Sequence, residues 1–461
     1  MALRKLFIAN RGEIAVRIIR AARERGIATV QAVSAADRDM LAARMADEVA
    51  EVGPAHAARS YLNQEAMLRA ALDSGADAVH PGYGFLAENA AFAEAVENAG
   101  LVFVGPRAET IRLMGDKERA REVAAAAGVP TVPGTGGALL EREALIAAAQ
   151  HIGFPVMIKA AAGGGGRGIR VAADAASLQR LLTEARAEAK AAFGDDTLYL
   201  ERFLHHARHV EVQLLGDGAR VVHLFERECS LQRRRQKVWE EAPAACLSET
   251  ARVALCESAV RLAQSVNYRG AGTLEYLLDE ASGAFYFIEM NTRIQVEHPL
   301  TEMVTGVDLV REMLAIAAGE GLRLTQQDIV LRGHAIECRI NAEDPARNFM
   351  PAPGRVGDLA LPGGPGVRFD SALYPGCTVP PFYDSLLGKL IVWDETRAHA
   401  LARLRRALDE LRVEGIPTTI AMHRILADHP DVARHAVHTG WLEAWLADSP
   451  LAHIATGTGR A

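Results

Sequence analysis

Within the 461 residues no uninterrupted apolar stretch approaches the ~20 residues that a membrane-spanning helix requires. The first apolar run, Leu6 to Ala9, is stopped at once by Asn10 and Arg11, which argues against a signal peptide. A cytoplasmic protein with no membrane partner is therefore expected. Cysteine is scarce: Cys229, Cys246, Cys256, Cys338 and Cys377 are odd in number and show no C-x-x-C spacing, so neither a zinc site nor a complete disulfide framework is implied. There is no excess of positive charge either. A formal net charge of −7 argues against a whole-surface affinity for nucleic acid. The one basic run, Gln232-Arg233-Arg234-Arg235-Gln236-Lys237, is short, lacks interleaved aromatics and precedes Glu240-Glu241, so an anionic small-molecule site is the better reading of it.

What is present is an ordinary globular composition, 49% apolar and 24% charged, on a chain long enough for about three units. From Met1 to about Gly115, short apolar strands at Lys5 to Ala9, Thr29 to Val33, Ala78 to His80 and Val102 to Gly105 alternate with helical patterns, the signature of a βαβ sheet. Asn10-Arg11-Gly12 is a turn, after which Ile14, Ile18, Ile19 and Ala22 recur at helical spacing. A second unit begins near Asp116 with a helix that stops at Gly128 and Pro130. Its later strands are Val156 to Lys159, Ile169 to Val171, Leu198 to Arg202, His209 to Leu215, Val221 to Glu226, Leu274 to Leu278 and Ala284 to Met290, with helices near Ala175 to Ala189 and Glu249 to Val266. Many strands with few crossovers predict α+β with an antiparallel sheet. The last part, from about Gly333, has alternating strands, a Pro/Gly-rich stretch from Pro351 to Gly366 and a final amphipathic helix near Arg397 to Leu411.

Four features carry chemistry. Lys159 follows an apolar strand and leads into Gly163-Gly164-Gly165-Gly166-Arg167-Gly168. Four consecutive glycines are costly in backbone entropy, and their N–H groups can wrap a phosphate. No Gly-Lys-Ser/Thr follows, so a Walker A loop is excluded, and the chain continues as a strand, which leaves a hairpin over nucleotide phosphates or a flexible surface loop. Glu275 and Glu289 flank a turn centred on Ser282, which puts them opposite each other with Cβ atoms roughly 4.5–5.5 Å apart. Two such carboxylates either hold a hard cation such as Mg²⁺, with Asn291 on the same side, or are exposed strand glutamates beside cationic neighbours. In the stretch Asn291 to Pro299, read as alternating, Glu297 shares a face with Gln295 and Arg293 and is a candidate base. His334 to Asn341 also alternates and puts Arg339 on the polar face with Glu337, to which it is either a site residue or a simple ion-pair partner. His80-Pro81-Gly82-Tyr83-Gly84-Phe85 is by itself a tight turn.

In this order these strings resemble the biotin carboxylase family of ATP-grasp enzymes over nearly the whole chain. The likeness runs from Phe7-Ile8-Ala9-Asn10-Arg11-Gly12-Glu13-Ile14-Ala15 to about Ile425 and includes Arg112-Leu113-Met114-Gly115-Asp116-Lys117, Gly270-Ala271-Gly272-Thr273, the run Ile288 to His298, and Glu337-Cys338-Arg339-Ile340-Asn341-Ala342-Glu343-Asp344. The resemblance implies an N-terminal Rossmann-like domain over 1–115, an ATP-grasp domain over 116–330 with a mobile lid over about 131–204, a C-terminal mixed α+β domain over 331–446, and a tail. It implies ATP contacts from Lys117, Lys159 and the glycines, with Glu201, Arg202 and Leu204 at the adenine and His209, Gln232 and Arg235 nearby. Mg²⁺ or Mn²⁺ would be held by Glu275, Glu289 and Asn291, and bicarbonate by Lys237, Arg293, Gln295, Val296 and Glu297. Glu297 would deprotonate bicarbonate for attack on the γ-phosphate, giving carboxyphosphate. Tyr83 and Gly84 would line the biotin site, and Arg339 would stabilise the biotin enolate.

Arg235 stands where the family often has histidine or asparagine, Ala162 where many members have glycine, and Arg202 where the pattern has lysine. No Met-Lys-Met carrier motif is present, and Lys389 is the only lysine after Glu297, so biotin is expected on a separate carrier protein, with carboxyltransferase subunits as further partners. A homodimer through Arg20 and Glu24 is also implied. Acetyl-CoA is the default final acceptor, with propionyl-CoA, methylcrotonyl-CoA and pyruvate as alternatives. Another ATP-grasp ligase would share Lys117, Lys159, Glu275 and Glu289 but would not need Arg293, Gln295, Glu297 and Arg339 together. A nucleotide-binding scaffold would tolerate loss of a metal ligand or base, and neither is lost.

Overall fold

The computed structural model describes residues 3–135, 139, 141–160, 170–193 and 196–448. Ala162 and the glycines Gly163, Gly164, Gly165, Gly166 and Gly168 lie outside the described residues, as does most of the tail. The N-terminal sheet consists of β1 Lys5–Ile8, β2 Ala28–Ser34, β3 Glu48–Gly53, β4 Ala78–His80 and β5 Val102–Phe103, in the order β3-β2-β1-β4-β5 with every pair parallel. Helix α1, Gly12–Glu24, lies against it because Ile14, Ile18, Ile19 and Ala22 fall on one face and enter the core with Leu6 and Ile8. Gly26, at φ +69°, turns the chain out of this helix, and its N–H reaches back to the Arg23 carbonyl at 2.9 Å.

Strand order reverses between β1 and β4, the place where open parallel sheets leave a crevice at their carboxyl ends. There the Asn10 side-chain amide donates to the carbonyls of Pro81 (2.6 Å) and Tyr83 (2.7 Å), pinning the turn after β4. Gly82 has φ +61°, and a Cβ on it would stand 2.9 Å from Asn10 Nδ2, so the turn accepts only glycine there.

A three-stranded sheet, β6 Val156–Ala160, β7 Arg170–Ala172 and β8 Leu198–Arg202 in the order β7-β6-β8, packs on helices Arg142–Ile152 and Ala175–Phe193. The main sheet is antiparallel throughout, as the strand pattern predicts. It holds β9 Arg208–Asp217, β10 Val221–Arg233, β11 Gln236–Ala242, β12 Arg269–Leu278, β13 Phe285–Asn291 and β14 His334–Asn341, followed by strands Leu386–Asp394 and Val367–Ser371. Because β11 pairs with β14, one sheet carries side chains from residue 208 to residue 394 towards a common centre. β14 alternates as read: Ile336, Cys338 and Ile340 are buried beneath helix Arg397–Glu410 through Leu401, Leu404 and Leu408, and Arg339 points the other way.

Several elements differ from the sequence reading. β3 and β11 are strands that glutamates and the basic run concealed. Helices Ile420–Asp428 and Trp441–Asp448 follow the helix expected to be the last. The stretch after Asn291 is not an alternating strand: it is irregular to Glu297, and Pro299 opens helix His298–Thr305, where its missing N–H costs nothing. Among the described residues no helix is long and apolar enough to cross a membrane.

Truncating α1 at its fully buried Ile18 leaves a cavity between helix and sheet. Ile18→Ala is expected to lower unfolding free energy by about 2–5 kcal/mol, read as a leftward shift of the urea transition.

Candidate active site

A cavity of about 750 Å³ opens where the turn after β4, the β10–β11 turn, β12, β13, β14 and the segment after β13 converge. Its lining includes Tyr83, His209, Arg235, Lys237, Glu275, Glu289 and Asn291, together with Arg293, Gln295, Val296, Glu297 and Arg339. Residues scattered over 257 positions of sequence (83 to 339) thus face one space. Lys117, Lys159, Glu201, Arg202, Leu204, Gln232 and Gly84 are not on this wall.

The hairpin β12–β13 has the register expected from its turn: Glu275 pairs with Glu289, with a bulge just beyond, at Tyr276. Asn291 turns to the same side and donates to Glu275 Oε1 at 2.9 Å. The two carboxylates are in unlike states. Glu275 is buried, which raises its pKa, but Lys237 and His209 outweigh burial and hold it below the ordinary range. Glu289 is half-buried and makes no hydrogen bond or ion pair with a described residue; burial and the neighbouring Glu275 push it up, against Lys117. A desolvated carboxylate left without a cation beside a second carboxylate is a donor set that fits a hard divalent ion.

Lys237 is the centre of the site. Its ammonium contacts Glu211 Oε2 at 2.5 Å, Glu275 Oε1 at 2.8 Å and Glu297 Oε1 at 2.7 Å. Burial alone would discharge it, but these three carboxylates keep it protonated far beyond the usual lysine range. Below it lies Arg227, wholly buried, with Nε on Glu211 (2.7 Å) and its other nitrogens on Gln213 (2.7 Å), Thr301 (2.9 Å) and the Gln295 side-chain Oε1 (2.8 Å). Gln295 in turn donates to Glu275 at 2.7 Å, so its orientation is fixed from both ends.

Glu297 is gripped from two sides, by Lys237 and by Arg339, whose guanidinium reaches Oε2 at 2.8 Å. Burial opposes its ionisation, yet Lys237, Arg339 and Arg227 hold it well below the ordinary carboxylate range. Arg339 does not pair with Glu337, the partner its strand position suggests. Its second carboxylate is Glu240, at 2.6 Å on β11. Burial pushes Glu240 up to about 7, although Arg339 pulls it down. Arg293, on the cavity wall, is held by Glu88 at 2.8 Å and by Asn291 Oδ1 at 2.9 Å.

The Tyr83 hydroxyl donates to buried Glu13 at 2.5 Å, and Gly84, at φ +67°, is exposed beside it. Away from the cavity wall, Lys159 and Arg121 both pair with Glu201. The Arg202 guanidinium turns back to the Ile152 carbonyl at 2.7 Å, Leu204 is half-buried in the loop after β8, and Gln232 Nε2 lies 3.0 Å from His209 Nδ1. Glu211, Arg227, Glu240, Glu88, Asn10, Glu13 and Lys389 belong to the same networks and escaped the sequence reading. A buried arginine inside a longer β10 could have been found only by extending that strand through its polar residues.

Three family models match in succession: "Biotin carboxylase, N-terminal domain" over residues 2–111, "Carbamoyl-phosphate synthase L chain, ATP binding domain" over 116–325, and "Biotin carboxylase C-terminal domain" over 337–444. The chain is 55% identical over 443 residues to the biotin carboxylase of Pseudomonas aeruginosa, covering 96% of this chain and 98% of that one. Among solved structures it is similar to the Campylobacter jejuni biotin carboxylase–β,γ-ATP complex (TM-score 0.89, 45% identity, 96% of this chain and 99% of that one). It is also similar to the biotin carboxylase domain dimer of Hydrogenobacter thermophilus 2-oxoglutarate carboxylase with MgADP, ADP and bicarbonate (TM-score 0.88, 45% identity, 97% and 99%). With its parallel N-terminal sheet, its continuous antiparallel sheet and relatives of this identity along almost its full length, the chain belongs to the biotin carboxylase family and is an ATP-dependent ligase.

Proposed function

We propose that this chain carboxylates biotin on a separate carrier protein in the cytoplasm, from ATP and bicarbonate, as the first half-reaction of an acetyl-CoA carboxylase. The observation that carries this reading is the Lys237–Glu297–Arg339 arrangement, which lines one cavity with the Glu275–Glu289 pair and touches it through Lys237. An ATP-grasp ligase that activates a larger carboxylate has no need of a base flanked by two cations.

Bicarbonate enters among Arg293, Gln295, Val296 and Lys237, where fixed cations offset its charge. Glu297 is ionised at neutral pH and so ready to take a proton. The incoming anion competes for Lys237 and Arg339, weakens the pairs that depress Glu297, and so raises its proton affinity at the moment of transfer. The oxygen thus freed attacks the γ-phosphorus, forming carboxyphosphate and releasing ADP. Breakdown of that anhydride gives CO₂ and a phosphate that removes the ureido N–H proton of biotin. Arg339, permanently charged, stands where the ureido oxygen gathers negative charge, with Tyr83 and Gly84 as the wall on that side. Glu275 and Glu289, with Asn291, would hold Mg²⁺ or Mn²⁺, which when bound neutralises phosphate charge. ATP rests on Lys117, Lys159 and the residues 163–168, with Glu201, Arg202, Leu204, His209, Gln232 and Arg235 around the nucleoside.

Biotin is proposed to arrive on a carrier protein; Lys389, the one lysine beyond Glu297 in this sequence, is wholly buried and offers no attachment point. A carboxyltransferase would then take the carboxyl group from the carrier. The free thiols Cys229, Cys246, Cys256, Cys338 and Cys377 suit a reducing compartment. A homodimer would use the exposed side of α1, where Arg20 and Glu24 project.

With Mg²⁺-ATP, bicarbonate and free biotin, the purified protein is expected to release ADP in a bicarbonate-dependent, biotin-stimulated manner. Glu297→Ala should lower that rate by ~10²–10⁴-fold, the usual loss for a removed general base. ATP turnover indifferent to biotin would point instead to another ATP-grasp ligase. The ion pairs of Glu297 also leave a mark on stability. Because its folded pKa lies below the ordinary 4.5, its contribution is present above that pH and is lost as pH falls through the folded value. The melting-temperature difference between wild type and Glu297→Gln should therefore be full at pH 7 and shrink below pH ~4.5; a difference that grows in acid would contradict the assigned pairing.

A further inference from the structure

Lys389 has no part in the chemistry just described, yet it is a charged group with no exposed surface at all. Such burial is costly and persists only where the charge is fully paired. It sits on strand Leu386–Asp394, between Arg339 on β14 and Asp370 on Val367–Ser371. Its ammonium donates to the Val296 carbonyl at 2.8 Å and lies 3.1 Å from Glu13 Oε1. That same Glu13 oxygen accepts the Tyr83 hydroxyl at 2.5 Å. Glu13 stands on α1 of the N-terminal sheet unit, Val296 in the segment after β13, and Lys389 towards the C-terminal end of the chain.

The consequence is geometric. The Val296 carbonyl belongs to the peptide that joins Val296 to Glu297, so the lysine fixes the plane from which Glu297 leaves the backbone. Through Glu13 the same cation fixes the phenol of Tyr83. We propose that Lys389 is a positioning residue that holds the bicarbonate-side base and the biotin-side tyrosine in register through one buried ammonium. The inference rests on the function proposed above and adds to it that the two half-sites are aligned by a group that touches neither substrate.

The test uses the full chain and three variants: Lys389→Arg, Lys389→Met, and the double variant Lys389→Met with Glu13→Gln. The double variant removes the charges of the ion pair together, so Glu13 is not left as an unpaired carboxylate. Circular dichroism and a melting profile establish that each is folded, and kinetics of ADP release give kcat and KM for ATP, bicarbonate and biotin separately. Displacement of a catalytic group by about 1 Å costs ~10²-fold, and a loss of that order is expected in kcat/KM for bicarbonate and for biotin in the double variant, while KM for ATP stays within about twofold. Lys389→Arg keeps the charge but alters its reach, and is expected to show the same pattern more weakly. If the lysine merely balances charge, the double variant recovers wild-type kinetics, and that result overturns the proposal. A uniform loss across all three substrates, or unchanged kinetics in Lys389→Arg, overturns it as well. Wild-type protein without biotin-stimulated turnover would instead overturn the functional reading, and this inference with it.

Discussion

Three buried carboxylates on one ammonium set the terms for the rest of this molecule. Glu211, Glu275 and Glu297 come from β9, β12 and the loop after β13, and Lys237 at the start of β11 is the cation that touches all three. Without it each would lose a cationic partner in a buried place, where an uncompensated charge is costly. Arg227 extends the arrangement downward and Arg339 sideways, so that the polar centre is held by a lattice of cations and anions. The site is rigid because every member is shared.

This explains why the fold takes the form it does around the site. A parallel sheet supplies a crevice at its switch point, and Asn10 fastens the Tyr83 turn there. An antiparallel sheet supplies closely spaced side chains from many strands on one face, and the pairing of β11 with β14 brings Glu240 and Arg339 alongside Lys237. Burial then does opposite things to neighbouring carboxyls. It raises Glu240 and Glu289, and it is overruled at Glu275 and Glu297 by adjacent cations. At Glu275 and Glu297 the cations beside the carboxylate, Lys237 foremost, decide its state against burial.

Much of this was legible in the sequence where a local rule applied. Turn position alone gave the Glu275–Glu289 register, alternation gave both faces of β14, and helical spacing gave the buried side of α1. What stayed hidden depended on partners distant in sequence. Arg227 and Glu211 look like ordinary polar strand residues until β9 and β10 are paired, and Lys389 is a lone lysine until three separated segments meet at it. The segment from Thr292 to Glu297 was misread as a strand because polar alternation is also what an irregular loop shows when its side chains point into a site, and Pro299 marked a helix start instead of a strand end. The roles proposed for Glu297, Arg339 and the residues expected at ATP came from likeness to a family; the structure adds where the described ones among them lie.

Under the function proposed above, bicarbonate itself becomes the nucleophile at phosphorus, activated beside Lys237. That step is tested most directly by following oxygen. If ¹⁸O-labelled bicarbonate is supplied with ATP and biotin, and turnover is stopped before the label exchanges with water, one labelled oxygen should appear in the inorganic phosphate for each ADP formed. Phosphate free of label, with ADP still released, would mean that water or another group attacks the γ-phosphorus and would contradict the account.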